Sequence, residues 1–542
     1  MRIRNLVILT IVFALTFVLA ACGTAAPQPA EQQEAAPEPP AAVAQEPAAE
    51  AADEEADEEP AEFVAGDAVV WVAMSQSAVL DPIMQNDQPT TDLTSQIMEG
   101  LMWYGPGNVL QPLLAESYEI IDDENLVYQF NLRRGVSFHD GTPFNADAVK
   151  LSLDRLLDPE NASPGAFILE MIDEVIVVDD YTVHIVLEFP FSPFTAHLTH
   201  SVGFIQSPAA IAAGTTNTHP VGTGPFMFNR RVDGDYTHIV PNPNHWRATP
   251  QHDVFFRVIP DPATRIAMLD VGEANVLRGT ASDVFQFYMM NHIDWFRNPS
   301  TSLTYVGFNC AQDGPLADAR VRRAITMAIN AQDILYGVQE GEGILATGPV
   351  RGGLVAHAPT DVPGLPFDPD AARELLAEAG FPDGFSTSIW TNEGNAVRAR
   401  ISELMQANLA DIGIHLDIQI MEWSAYLDDT AAGLHDMFLL GWSTMTGDSD
   451  YGIFPLFHSA EIGGANRTHY TNHEVDRLLE EARRSTNPAE RDALYREVVE
   501  ILVYDAPMLF LFHPDTPLAT NGIDGMIFNF NDTPFFYDVT LR

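Results

Sequence analysis

The sequence predicts an α/β protein built from two or more lobes, on two observations. Its 542 residues far exceed the length at which one hydrophobic core stops growing. From residue 66 onward, β-rich and helix-periodic runs alternate along the chain, the pattern of sheets covered by helices. The 46% hydrophobic and 10% aromatic content is enough for ordinary cores.

Residues 1–22 read as an export signal. Arg2 and Arg4 form a basic start, the stretch 6–18 has no charge, and Ala20 and Ala21 lead into Cys22. The order Leu19-Ala20-Ala21-Cys22 resembles the lipobox of bacterial lipoproteins, which implies that the Cys22 thiol is acylated and that cleavage makes it the first mature residue. Residues 23–65 are almost all Ala, Pro, Glu, Gln and Asp, with twelve acidic residues and no Lys or Arg. Such a segment buries too little apolar surface to offset its ordering entropy, so a disordered, self-repelling tether is expected.

In the globular part, 127–132 alternates as a half-buried strand does. The runs 174–178 and 182–188, separated by Asp179-Asp180-Tyr181, read as a hairpin. Val321, Ala324, Ile325, Ala328 and Ile329 have helical spacing, with Asp318 near the positive N-terminal end. Asp368 is placed to cap a helix with Pro369 at its first position, ended by Gly380 and Pro382. The stretch 397–412 is another amphipathic helix, stopped by Gly413. The runs 416–420 and 437–440 are expected as short buried strands flanking a helix.

The net charge of −49 makes nucleic acid an implausible partner. Lys150 is the one lysine; an acidic, lysine-poor balance is also what salt-adapted proteins show. A phosphate-cradling P-loop needs a lysine after its glycines, and Lys150 follows Val149. No G-x-S-x-G elbow occurs, since Gly441-Trp442-Ser443 lacks the closing glycine. His197 and His200 lie in HLTH, without the glutamate or the spacing of helical zinc ligands. No catalytic residue, metal site or cofactor is therefore assigned, and a binding protein is expected in place of an enzyme. With Cys22 lipidated no disulfide can form, and Cys310 is expected as a buried small hydrophobe.

Six motifs then occur in order: PLLAESYEI from 112, FNLRRGVSFHDGTPFNADAVKLSLDRLL from 130, VGTGPFMF from 221, NPNHWR from 242, LADARVRRAITMAIN from 316 and FDPDAARELLAEAGFPDGF from 367. From residue 66 onward the chain resembles the bacterial extracellular solute-binding proteins of family 5, the dipeptide, oligopeptide and nickel group. The resemblance implies a two-lobed clamp like the periplasmic binding proteins, with an extra subdomain in lobe I. Lobe I would take 66–300, with the inserted subdomain at about 112–220; lobe II would take 301–513; and 514–542 would return to lobe I. Ligand would be enclosed between the lobes by hinge closure. The implied partners are a membrane permease and its ATPase, for a monomer held to the outer face of the membrane, or in the periplasm, by its lipid.

The resemblance also implies site residues. The tryptophan of an EW..YL segment, which packs over ligand in the family's dipeptide binders, is Trp423 in MEWSAYL. The position of the carboxylate that pairs with a ligand amino terminus is Met445, and the position of the arginine that pairs with a ligand carboxylate is Asn392. With both charged anchors missing, free dipeptides are expected to bind poorly, because unpaired desolvated termini are costly. The string GWSTMTGDSDYGIFPLFHS from 441 looks like the glutathione-uptake branch. There Asp448 or Asp450 could take a ligand ammonium, the alternative being that both cap a turn or meet solvent. Trp442 either walls the pocket or fills the core of lobe II. The expected ligand is a short or glutathione-like peptide; the alternatives are nickel or a metal chelate, an oligosaccharide, or a peptide-sensing or chaperone role.

Overall fold

A single 13-residue strand, Met508–Thr520, runs through both halves of the molecule. The computed structural model describes residues 66–542 apart from 78, 85, 86, 106, 123 and 125. The export signal, Cys22 and the tether lie outside the described residues. The first half of this strand pairs with Ser302–Phe308, and its second half pairs with Asp294–Pro299 and Val276–Arg278. One 12-stranded mixed sheet therefore continues from one lobe into the other.

In lobe I, Val69–Ala73 lies parallel to both Val254–Val258 and Val276–Arg278, and the sheet ends on Tyr236–Pro241 and Phe226–Val232. In lobe II the order outward from Ser302–Phe308 is Met437–Ser443, Ser386–Asn392 and His415–Met421. Central strands covered on both faces read as continuous apolar runs, as Val69-Val70-Trp71-Val72 and Met437-Phe438-Leu439 do; all seven are buried. Alternate residues feed opposite cores. Tyr305, Phe438 and Trp390 enter one cluster, while Val306, Leu439 and Ile389 enter the other.

The expected helices form where their caps place them. Asp318 accepts from the Arg320 amide at the head of Ala319–Ala328, and Asp368 accepts from the Ala371 amide at the head of Pro369–Glu378. Each such cap contributes about 1 kcal/mol. The 397–412 expectation is met by Ala396–Asp411. Of the two expected buried strands, Met437–Ser443 is buried over its first four residues. His415–Met421 is not: among the described residues it is the last strand on its side, paired only with Ser386–Asn392, and Ile420 is 57% exposed. Its alternate residues His415, Asp417 and Gln419 are polar and exposed, so only the other face turns toward the core.

A separate antiparallel sheet orders Ala115–Ile120, Val127–Leu132, Thr182–Leu187 and Ile172–Asp179, covered by the helix Ala146–Leu157. Its hairpin turns at Asp179, whose carboxylate accepts the Tyr181 amide at 2.8 Å. The Arg351 guanidinium donates to the carbonyls of Ser300 and Pro514 and pairs with Asp515 at 2.7 Å, so it ties the segment before Ser302–Phe308 to the middle of Met508–Thr520. Cys310 packs at the edge of the lobe II core, its thiol pushed up to about 11 by burial. Among the described residues no helix is long and apolar enough to cross a membrane.

Candidate ligand-binding site

Three strands of lobe II deliver the site. Ser386–Asn392 runs parallel to His415–Met421 and to Met437–Ser443, with Asn392 opposite Met421 and Trp390 opposite Phe438. Their carboxyl ends therefore emerge at one edge, where crevices of parallel sheets take ligands. Asn392 ends the first strand, Trp423 opens the helix after the second, and Trp442 stands at the end of the third with Met445 just beyond. Residues more than fifty positions apart in sequence are gathered at one edge by strand direction alone.

A cavity of about 270 Å³ includes Met445 in its lining, whereas Asn392, Trp423, Trp442, Asp448 and Asp450 do not line it. Lobe I supplies Glu99, Trp103, Tyr104, Arg247 and Tyr537 to its wall, and Met445 comes from lobe II. The Arg247 guanidinium carbon lies 4.5 Å from the Trp103 ring centre and 4.7 Å from that of Trp246. Burial lowers the Arg247 pKa and the Glu99 carboxylate opposes that shift. Glu99 is held by Thr223 and by the indole of Trp246, each at 2.9 Å. The cavity thus combines aromatic surface, a cation and fixed polar groups.

The lobes touch beside it. The Tyr104 hydroxyl donates to the Thr446 carbonyl at 2.6 Å. Gly447 follows at φ +67°, and a Cβ there would come within 2.8 Å of the Tyr104 hydroxyl and 2.7 Å of the Phe530 ring. Glycine is required here both for its backbone conformation and for this approach.

Asp448 and Asp450 are both engaged inside the protein. Asp448 caps the helix Ser449–Phe457 and forms a two-pronged pair with Arg491 at 2.7 and 2.9 Å. Burial works against its ionisation, but Arg491 outweighs burial and holds the carboxyl below its ordinary value. Asp450 accepts from Arg483 at 2.8 Å and lies 3.7 Å from His197 of lobe I. A ligand ammonium at either carboxylate would have to displace an arginine, so the capping alternative describes Asp448 and an ion-paired one describes Asp450. The physical reason is that a carboxylate 4% or less exposed requires a charged partner.

Trp442 also has a structural part: its indole donates to the Tyr451 carbonyl at 2.9 Å, and it packs on the cores of both lobes. Trp423 is different, being 44% exposed. Its neighbours include Arg398, whose guanidinium carbon lies 5.7 Å from the ring centre and whose Nη1 donates to Asn392 Oδ1 at 2.7 Å. Sequence reading missed Arg398 and Tyr104, since neither stands in a motif position; Arg247 closes the NPNHWR motif, where it reads as turn chemistry. Among the described residues no group of three or more His, Cys, Asp or Glu side chains could hold a metal ion.

Comparison with known proteins agrees with this architecture. Residues 109–464 match the family described as bacterial extracellular solute-binding proteins, family 5 Middle. The glutathione-binding protein of Pectobacterium atrosepticum is 32% identical over 464 residues, covering 83% of this chain and 89% of that protein. Its namesake from Escherichia coli O157:H7 is 33% identical over 460 residues, covering 82% and 89%. Among solved structures, HbpA2 of Haemophilus parasuis has a TM-score of 0.79 at 29% identity, covering 88% of this chain and 99% of that one. The ABC transporter-associated periplasmic binding protein DppA of Helicobacter pylori, in complex with peptide STSA, has a TM-score of 0.76 at 28% identity, covering 87% and 98%. The chain belongs to the bacterial extracellular solute-binding proteins of family 5, with their two-lobed fold.

Proposed function

We propose that this protein is the substrate-binding lipoprotein of an ABC importer, capturing a short or glutathione-like peptide between its lobes and presenting it to a membrane permease. The observation that carries the reading is the cavity walled by Trp103, Tyr104 and Arg247 of lobe I and by Met445 of lobe II. Its volume, about 270 Å³, falls just below the roughly 300–1,000 Å³ of common ligand pockets. That size suits a short peptide better than a long one. Relatives named as glutathione-binding proteins, matched over 89% of their length, support the ligand class.

In this reading lobe I comprises residues 66–300 with 514–542, lobe II comprises 301–513, and the subdomain at about 112–220 extends lobe I. The protein binds and releases without chemistry, acts as a monomer, and is tethered through a lipid on Cys22 to the outer face of the membrane. Trp423 supplies a rigid aromatic surface to the ligand at little entropy cost.

Native mass spectrometry of the purified protein, followed by titration with reduced and oxidised glutathione, dipeptides, longer peptides and nickel chelates, tests the reading. A retained or preferred short peptide supports it. Preference for a nickel chelate, or for none of the panel, contradicts it.

A further inference from the structure

Histidines apart, the charged side chains on the cavity wall among the described residues are Glu99, Arg247 and Asp538, all from lobe I. Glu99 is fully engaged: Thr223 and the Trp246 indole each donate to Oε2 at 2.9 Å, and His245 Nε2 stands 3.4 Å from Oε1. Arg247 and Asp538 are not. Neither side chain makes a hydrogen bond or an ion pair among the described residues, although Asp538 is near enough for its charge to favour the charged form of Arg247. In a chain with 76 acidic and 27 basic residues, an arginine beside a carboxylate that does not pair with it calls for an explanation.

The way each is mounted keeps them apart. Arg247 ends a turn fixed by Asn242, whose side chain donates to the Gly224 carbonyl at 3.1 Å and accepts the Asn244 amide at 3.0 Å. His245 Nδ1 meets the Ala248 carbonyl at 3.0 Å in the same turn. From there the guanidinium carbon lies 4.5 Å from the Trp103 ring centre, 4.7 Å from that of Trp246 and 5.9 Å from that of Tyr537. Stacking on aromatic faces holds a guanidinium while leaving its in-plane N–H donors free. Asp538 belongs to the C-terminal segment, which Gln96 fastens: its Nε2 donates to the Pro534 carbonyl at 2.7 Å and its Oε1 accepts the Phe536 amide at 3.4 Å. Both charged side chains are exposed. Opposite charges fixed on one wall, beyond bonding distance of each other, suit a group that is itself a dipole: a carboxylate for the guanidinium fork and an ammonium for the carboxylate.

We infer that Arg247 and Asp538 form a lobe I receptor for a zwitterionic α-amino-acid head group, Arg247 taking its carboxylate and Asp538 its ammonium, and that this pair sets the specificity of the clamp. An ordinary peptide keeps its two charged termini at opposite ends. A peptide linked through a side-chain carboxyl, as a γ-glutamyl peptide is, carries both charges on one carbon. The inference rests on the peptide-binding reading above and adds which end of the ligand is read, and by which lobe. A receptor built from lobe I alone is complete before the clamp closes, so the head group docks first and Met445 of lobe II meets the ligand afterwards.

Calorimetry on the mature protein tests this with glutathione, its α-linked isomer Glu-Cys-Gly, which has the same atoms but separates the two charges, and N-acetylglutathione, which lacks the ammonium. The wild type should favour glutathione over each of the others by about tenfold or more. Arg247→Gln and Asp538→Asn should each weaken glutathione by a similar factor, leave the α-linked isomer within about threefold, and so erase the preference. Arg247→Lys, which keeps the charge without the fork, should retain part of it. All three variants should melt close to the wild type, since neither side chain is bonded within the protein. Equal binding of the two isomers by the wild type, a preference for the α-linked one, or a preference unchanged in either Arg247→Gln or Asp538→Asn overturns the receptor while the peptide-binding reading stands. Binding of neither isomer also overturns the receptor, and the wider ligand panel above then decides the peptide-binding reading.

Discussion

The Tyr104 hydroxyl of lobe I reaches the Thr446 carbonyl of lobe II at 2.6 Å, next to a glycine that a methyl group would push off the Tyr104 ring. Burial, and then the charge of Asp448, raises the Tyr104 pKa above its ordinary value, so the phenol remains a donor throughout the physiological range. A hinged clamp closes by contacts made only in the closed state. The Tyr104–Thr446 bond joins residues on either side of the cavity, whose wall includes Tyr104.

Tyr104→Phe should therefore weaken ligand binding by about 0.5–1.5 kcal/mol, the usual net worth of such a bond. Its melting temperature should change little in the ligand-free protein. Calorimetry paired with thermal unfolding measures both, and unchanged affinity would remove Tyr104 from the closing contacts.

Asp448 and Trp423 should separate stability from binding. Asp448→Asn leaves Arg491 buried without its anion, which should destabilise the fold by about 3–5 kcal/mol. Trp423→Ala, at a half-exposed position, should leave denaturant unfolding nearly unchanged while lowering affinity close to tenfold, about 1.5 kcal/mol. The reverse pattern would place the ligand at Asp448 and the structural contact at Trp423.

Acid should unfold the protein through its buried histidines. Burial pushes His200 and His435 down to about 3 and His139 and His513 down to about 4. Unfolding restores an ordinary value of about 6.5, so the unfolded state gains these protons first. Stability is thus full above pH 6.5 and falls as pH drops toward 4, by up to about 1.4 kcal/mol per pH unit for each group. Asp448, held below its ordinary value, adds a further loss as pH falls below about 4. Urea unfolding at pH 7.5, 6.0 and 4.5 in 1 M salt, which screens the surface charge, should show a steady decline. A flat profile would mean that these rings are not held neutral.

Much of the fold was legible in the sequence because its signals are local. Asp318 and Asp368 announce helix starts, and the turn at Asp179 announces a hairpin, through bonds to their own neighbours. The edge position of His415–Met421 was not legible, since its alternation of polar and apolar residues does not say how many strands flank it. The site was legible by halves. Met445 lines the cavity while Asn392, Trp423 and Trp442 do not, and the partners that change the meaning of Asp448 and Asp450 come from far along the chain. Arg491 is 43 positions from Asp448, and Arg483 is 33 from Asp450. Neither helix stripe nor motif carries that pairing.

Membrane attachment has its own test. Cys22→Ser should move the protein from the membrane fraction to the soluble fraction and leave the melting of the globular part unchanged. Retention in the membrane fraction would contradict lipidation at Cys22.

The central claim is that ligand lies in the cavity between Tyr104, Arg247 and Met445. Met445 is the lobe II residue on that wall, so Met445→Arg fills the cavity from the closing side without touching the lobe I cage. Calorimetry with the peptide that the wild type prefers should show affinity reduced by roughly a hundredfold or more in Met445→Arg, about 3 kcal/mol, with melting close to wild type. Wild-type affinity in Met445→Arg would show that the ligand binds elsewhere.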